Sequence, residues 1–304
     1  MKRSVLYKFR IIRRTVWAGF FVLGIIISCL LSGCGYVSGA EEEAYRGPKP
    51  AAEDFLDTAL PVAKEIAIVI DTSDTSLEAF AEEVREEIAK HTAAWFPKRP
   101  GNIEEKGALA LPGLRIVIYL VNSVNPQDIY DPLNIHLVID MPGIPGIESR
   151  PLMPDDVEGA EFGLFMQEYA AWKEASGIWD AAYTSALASA QEASAEIMDM
   201  DLTVRAAGYA SGINNAVCAA LGATRGDEVV LLVASDLLEN GKERAVPPSG
   251  KTGRAVLIVF PPDGDEVSAR KLADDYGQTL LECGFSADIF FPVLLREATG
   301  EVFE

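Results

Sequence analysis

The sequence predicts a three-layer α/β/α fold built on a doubly wound, mainly parallel sheet of about six strands. Short apolar runs rich in β-branched residues alternate with helical segments along residues 63–304, which is the order that produces parallel sheets. Several of these runs are apolar throughout, as expected for strands covered on both faces. One pair of successive runs is joined by a link too short for a helical crossover, which predicts one antiparallel edge strand.

The individual elements follow from local patterns. Asp74, Thr75 or Ser76 is expected to cap the first helix, and Pro97 and Pro100 are expected to end it. We predict strands at residues 65–71, 114–122, 133–141, 228–236, 254–262 and 287–295. We predict helices at residues 77–96, 161–198, 213–223 and 266–284, with Gly177 as the expected point of any division in the long one.

Four aromatic residues in the long helical segment fall at spacings of three to four or seven: Tyr169, Trp172, Trp179 and Tyr183. Such a stripe is typical of a helix face that packs on the core, and this is the interpretation we favour. The alternative is a face that binds a partner.

The N-terminus has the pattern of an export signal. The first 14 residues are basic and contain no acid, and an apolar run over residues 16–31 leads to Leu31-Ser32-Gly33-Cys34. This pattern is typical of a secretory signal; a permanent membrane helix would need a somewhat longer apolar run. The last four residues resemble the lipobox of bacterial lipoproteins. That resemblance implies cleavage before Cys34, acylation of its thiol and a membrane-anchored, extracytoplasmic protein.

Composition and charge describe the rest of the chain. Residues 34–62 are rich in Ala, Glu, Gly and Pro and are expected to form a flexible acidic tether. Without residues 1–33, twenty basic and 46 acidic residues remain, a net charge of −26. This balance argues against binding to nucleic acid or to an anionic bilayer face, and it suits cation binding.

Oxygen-bearing side chains cluster where the predicted parallel strands end. Asp71, Ser73 and Thr75 follow the first strand, Asp236 follows the fourth, and Ser211 lies in the loop before the helix at 213–223. Ligands of doubly wound sheets bind beyond the carboxyl ends of the strands. Mg²⁺ prefers oxygen ligands and commonly takes one or two carboxylates with water.

This arrangement resembles the von Willebrand factor type A domain and its metal-ion-dependent adhesion site. That family has Asp-x-Ser-x-Ser after strand one, a loop Thr before a helix, and an Asp after strand four. The resemblance implies that Asp71, Ser73, Thr75, Ser211 and Asp236 bind Mg²⁺, with Mn²⁺ or Ca²⁺ as alternatives, and that a protein partner's carboxylate completes the site. Thr75 stands where the family has Ser, and Ser211 stands where it has Thr, so both positions keep a hydroxyl. Leu237 stands where the family usually has Gly.

Three functions remain open from the sequence. The first is an extracytoplasmic binding module that recognises a protein partner through Mg²⁺. The others are a metal-dependent hydrolase of α/β type and a metal-free subunit of an envelope assembly. No residue is assigned a catalytic role, because His91 and His136 lie in no metal-ligand or triad spacing and no acid/base pair stands out. Cys218 and Cys283 are consistent with a disulfide in an exported protein and equally with two thiols.

Overall fold

The computed structural model describes residues 63–121, 137–154, 160–202, 212–238, 250–261 and 264–304. Within these ranges the chain forms a six-stranded sheet flanked by helices. The strands are β1 (Lys64–Asp71), β2 (Leu114–Val121), β3 (Leu137–Met141), β4 (Glu228–Ser235), β5 (Thr252–Val259) and β6 (Phe285–Phe290). The helices are α1 (Glu78–Ala93), α2 (Ile103–Lys106), α3 (Ala160–Met198), α4 (Ile213–Gly222), α5 (Glu266–Glu282) and α6 (Leu295–Phe303), with 3-10 turns at Thr75–Leu77 and Pro292–Leu294.

The strand order is β3-β2-β1-β4-β5-β6. All neighbouring strands are parallel except β2 and β3, which pair antiparallel. This confirms the predicted sheet and its antiparallel edge strand. The chain therefore builds one half of the sheet outward from β1 and the other half outward from β4. The boundary between β1 and β4 is the point where ligands bind in doubly wound sheets.

Both faces of the sheet are covered, which explains the uninterrupted apolar strands. Ile66, Ile68 and Ile70 of β1 point into a core shared with α1, α3 and α6. Ala67 and Val69 point into a second core that α4 and α5 cover. Side chains alternate between the faces of a strand, so Asp71 continues the second set at the carboxyl end of β1.

The start of the first helical segment agrees with its predicted cap. The Ser76 amide donates a hydrogen bond of 2.8 Å to Asp74 Oδ1, and Asp74 is the N-cap of the 3-10 turn that leads into α1. The helix ends at Ala93 rather than at 96. Pro97 therefore lies beyond the helix end and does not set it.

The strand predicted at residues 287–295 extends five residues beyond the end of the strand in the structure. Strand β6 stops at Phe290, and Pro292 opens a 3-10 turn that continues into α6. Proline has no amide to donate to a ladder and is well suited to the first turn of a helix. The apolar residues that resembled a strand end instead supply Leu295, which packs in the core together with Val302 of α6.

Helix α3 runs unbroken through Gly177 over 39 residues. One glycine in a helix costs only about 1 kcal/mol, and Trp179 and Tyr183 are buried in the core just beyond it. Tyr169 and Trp172 are only half-buried. The prediction that the aromatic residues face the core is therefore confirmed for Trp179 and Tyr183, and only in part for Tyr169 and Trp172. Of the helices the structure describes, none is long and apolar enough to cross a membrane.

Candidate metal centre

Asp71 occupies the carboxyl end of β1 and is completely buried. Its Oδ1 accepts a hydrogen bond of 3.0 Å from the Ser73 amide, and its Oδ2 accepts one of 2.7 Å from Ser235 Oγ. Strands β1 and β4 are in register with Ile70 opposite Ala234, which places Asp71 and Ser235 side by side. The carboxylate therefore sits at the boundary where the two halves of the sheet meet.

Burial raises the pKa of Asp71, and the hydrogen bonds from Ser235 and Ser73 oppose that rise. The repulsion of Asp74 raises it further. A buried carboxylate normally needs several donors or a cation to remain charged. The electrostatic contributions to this pKa come from another acid and not from a basic side chain.

Ser235 is the residue that the sequence interpretation overlooked. Its hydroxyl donates to Asp71 and accepts a hydrogen bond of 2.9 Å from the Leu237 amide, so one buried oxygen links β1 to the loop after β4. The signal was its place beside Asp236 at the end of a buried strand.

Asp236 lies one residue beyond β4 at the same edge. Its Oδ1 accepts a hydrogen bond of 2.9 Å from the Leu238 amide. Burial raises the pKa of Asp236 to about 6, and the charges of Asp71 and Asp74 add to this shift while the Leu238 hydrogen bond opposes it. The two predicted carboxylate ligands, Asp71 and Asp236, are therefore close enough to repel each other.

Leu237 adopts a left-handed backbone with φ of 57°. Its side chain is buried in the core that α4 and α5 cover. A left-handed conformation costs a non-glycine residue about 1–2 kcal/mol. The resembled family usually has Gly at this position, and glycine adopts a left-handed backbone without strain.

In the loop after β1, Thr72 has a structural role, whereas Ser73 and Thr75 are predicted metal ligands. Thr72 uses both its amide and its hydroxyl to bond the Val121 carbonyl, at 2.8 and 3.0 Å, which fastens the end of β1 to β2. Ser73 is half-buried and Thr75 is exposed. Both lie in the loop that directly follows Asp71.

Ser211, the remaining predicted ligand, lies outside the described residues. Helix α4 begins two residues after it, with Gly212 as the N-cap. Because α4 leads directly into the start of β4, its first turn points toward the carboxyl edge of the sheet. Of the predicted ligands that the structure describes, Ser73 donates a hydrogen bond to Asp71, the charge of Asp71 raises the pKa of Asp236, and Thr75 follows in the same loop.

The donors at this edge are all oxygens, which suits Mg²⁺ or Ca²⁺ better than softer metals. A divalent cation there would also offset the mutual repulsion of Asp71, Asp74 and Asp236. Among the described residues, no three His, Cys, Asp or Glu side chains are grouped to hold a metal ion. Only two of the four described ligands that we predict, Asp71 and Asp236, are residues of these types, because Ser73 and Thr75 would bind through hydroxyls.

The opposite edge of the sheet carries a second polar arrangement that is structural. Glu65 is buried, and its carboxylate accepts hydrogen bonds from the Arg225 and Gly226 amides at 2.6 and 2.9 Å. Arg115 is also buried; it donates to both carboxylate oxygens of Asp140 and to the Ala223 carbonyl. These contacts satisfy the backbone between α4 and β4, and no residue pattern had predicted them.

A cleft of about 400 Å³ also lies near that amino edge, with His91, Trp95 and Phe303 in its lining. The His91 and Phe303 rings stack with centroids 5.3 Å apart, and burial lowers the pKa of His91. His91 is thus packed among aromatic rings, while His136 lies outside the described residues. None of the predicted metal ligands lines this cleft.

The two cysteines predicted either to pair or to remain thiols are both thiols in the structure. Cys218 lies in α4, and Cys283 follows the last residue of α5. Comparison with protein-family models, curated proteins and solved structures finds no match to this chain.

Proposed function

We propose that this chain is a lipid-anchored, extracytoplasmic binding module that recognises a protein partner through a Mg²⁺ ion at the carboxyl edge of its sheet. The observation that carries the proposal is the pair of carboxylates, Asp71 and Asp236, at the boundary between β1 and β4. Each is raised in pKa mainly by burial, and each is repelled by acids. A cation at this edge would stabilise both in their charged form.

The donor set supports an ion that remains available to a partner. Ser73 and Thr75 would offer neutral hydroxyl ligands, and Asp71 and Asp236 would act directly or through water. Few charged ligands leave the ion electrophilic, so a carboxylate from a partner can bind it. Mn²⁺ and Ca²⁺ are the alternatives that the same oxygen ligands allow.

The place where the tether joins the domain fits this function. Strand β1 begins at Lys64, so a tether formed by residues 34–62 would enter at the amino edge of the sheet. The proposed metal centre is at the other end of β1. Because this tether is expected to be flexible, it would leave the carboxyl edge free to meet a partner.

The hydrolase alternative would use the same carboxyl edge. The cleft that the described residues form lies near the amino edge and includes none of the proposed ligands, so it does not favour this alternative. The metal-free alternative has one observation in its favour. The hydroxyl of Ser235 already bonds Asp71 at 2.7 Å, so this carboxylate has a protein donor without a metal.

Thermal unfolding of the full chain in mild detergent, with and without Mg²⁺, tests the metal proposal. A ligand that binds only the folded state stabilises it in proportion to the logarithm of its concentration above Kd. We expect Mg²⁺ to raise the Tm of the wild type and to have no effect on Asp71→Ala. Asp275→Asn removes an exposed acid of α5 and is the matched control, which should respond like the wild type. Equal responses in all three chains would contradict the proposal.

A second experiment tests the anchor independently. Replacement of Cys34 by Ser removes the thiol that the lipobox resemblance implies is acylated. We expect the wild type to take up a labelled fatty acid in cells that export it, and this variant to take up none. Equal labelling of the two chains would contradict a lipid on Cys34 without affecting the metal proposal.

A further inference from the structure

The carboxyl edge of the sheet carries exposed apolar side chains beside the proposed metal centre. Among the residues that the structure describes from 212 to 304, five large apolar side chains are exposed. Four of them follow the carboxyl ends of strands, and we call these four the apolar shelf. The shelf consists of Leu238, Val267, Val293 and Leu294. The fifth, Leu281, lies at the other end of α5, toward the amino edge.

The register of the sheet puts the shelf and the carboxylates on one edge. Ile70 of β1 is opposite Ala234 of β4. Ala234 is in turn opposite Ile258 of β5, and Ile258 is opposite Phe290 of β6. One row of residues thus crosses four strands. The predicted metal ligands at the ends of β1 and β4 come directly after this row, and so do the turns that carry the shelf.

The shelf side chains contribute little to the chain's own core. Val293 lies in the 3-10 turn after β6 and is 89% exposed. Val267 is 81% exposed in the first turn of α5, where the Asp265 side chain accepts a hydrogen bond of 3.2 Å from the Ser268 amide. Leu238, two residues after Asp236, is 43% exposed. Single exposed apolar residues are ordinary, but several at one edge mark an interaction surface.

The metal centre and the shelf are close enough for one partner to cover both. Neighbouring strands of a sheet lie about 4.8 Å apart. Strand β6 is two strands beyond β4, so its end lies about 12 Å from the boundary between β1 and β4. A standard protein interface buries about 800 Å² on each partner, which is a patch of about 16 Å radius. A partner centred on the metal would therefore also reach the shelf.

We propose that the apolar shelf selects the protein partner by binding large apolar side chains that neighbour the carboxylate on the metal. This inference rests on the proposed function. Asp74, Asp265 and Glu266 are exposed acids at the same edge. They repel a second carboxylate of the partner and do not repel an uncharged side chain. Because about 12 Å corresponds to about four extended residues, the apolar side chains should lie about two to five positions from the partner's acid.

Selection from a phage library of random dodecapeptides tests this specificity. The full chain in mild detergent is presented with Mg²⁺, and the peptides that EDTA releases are sequenced. We expect the wild type to select an acid with large apolar residues about two to five positions away. The double variant Val267→Ser, Val293→Ser should still select acids but lose the apolar preference. It should bind the peptides that the wild type selects about tenfold more weakly.

Leu281→Ser is the matched control, since it removes an apolar side chain that is 57% exposed at the amino-edge end of α5. It should select the same peptides as the wild type. Thermal unfolding checks that each variant keeps the Tm of the wild type.

The outcomes separate this proposal from the function on which it rests. Acidic peptides without apolar neighbours would overturn the shelf and leave the metal-dependent function standing. The absence of any peptide that EDTA releases would overturn both. An apolar preference that survives in the double variant would place the contact elsewhere and overturn the shelf. Apolar peptides that EDTA does not release would also overturn it, because the shelf would then bind independently of the metal.

Discussion

Leu237 offers the sharpest test of the backbone that positions the metal centre. The residue follows Asp236, has a φ of 57° and is 7% exposed. Two truncations separate its side chain from its backbone. Leu237→Ala removes the buried side chain and keeps the strain of a left-handed residue, whereas Leu237→Gly removes both.

The expected magnitudes follow from these two contributions. Truncation of a buried leucine to alanine costs about 2–5 kcal/mol of unfolding free energy. Glycine is ordinarily worse than alanine by about 0.5–1 kcal/mol within regular structure, because it loses more conformational freedom on folding. At a left-handed position alanine has a strain of about 1–2 kcal/mol that glycine does not have. We therefore expect Leu237→Gly to be more stable than Leu237→Ala by about 1 kcal/mol, a reversal of the usual order.

Urea-induced equilibrium unfolding measures the difference, since it compares two variants with nearly the same change in exposed surface. Leu238 is the matched control. It is the next residue, it is 43% exposed, and it is not among the residues with positive φ. At 238 alanine should be the more stable of the pair. If alanine is also better than glycine at 237, the left-handed backbone beside Asp236 is wrong.

Other consequences can be measured in the same way. Ser235→Ala removes the hydroxyl that bonds Asp71 and the Leu237 amide, and should lower the unfolding free energy by about 2–4 kcal/mol; a loss below about 0.5 kcal/mol would contradict the bridging role. Because the pKa of Asp236 is about 6 in the folded chain against an ordinary 3.8, the folded state retains a proton that the unfolded state releases, so stability should fall as pH rises from about 4 to about 6. Asp236→Asn should show a shallower fall in urea titrations across that range, and an unchanged slope would refute the shift. Arg115→Met should lower the unfolding free energy by about 1–3 kcal/mol, because it leaves the Ala223 carbonyl without its donor; an unchanged unfolding free energy would show that this contact is dispensable.

The sheet could be predicted from the sequence because burial on both faces gives strands a pattern that few other elements share. The short link between residues 114–122 and 133–141 was enough to predict the antiparallel pair that β2 and β3 form. Asp74 was one of three residues predicted to cap the first helix, because each has a side-chain oxygen that can accept a hydrogen bond from the backbone. The structure shows that Asp74 is the one that does so.

Elements that depend on distant contacts could not be predicted. An apolar run such as residues 287–295 fits a strand or a buried helix equally, and only the position of Pro292 separates the two. Helix α3 continues through Gly177, and Trp179 and Tyr183 just beyond it are buried in the core. Local propensity does not record such contacts, nor does it show that Tyr169 and Trp172 are only half-buried.

The part of the candidate site that lies at strand ends could be predicted from the sequence. Asp71 and Asp236 were placed together because parallel strands bring their carboxyl ends to one edge. The hydrogen bond from Ser235 to Asp71 depends on the register between β1 and β4, with Ile70 opposite Ala234, and a sequence does not specify register between strands that are distant in the chain. The left-handed backbone at Leu237 could not be predicted either, because leucine rarely adopts that conformation.

The most direct test of the metal centre is a crystal structure of the chain soaked with Mn²⁺, located by its anomalous scattering. Mn²⁺ accepts the same oxygen ligands as Mg²⁺ and can be identified by this signal. We predict one strong peak at the carboxyl edge of the sheet, within bonding distance of the hydroxyls of Ser73 and Thr75 and beside the carboxylates of Asp71 and Asp236. A crystal that takes up Mn²⁺ elsewhere, and leaves this edge without a peak at millimolar metal, would contradict the proposed function.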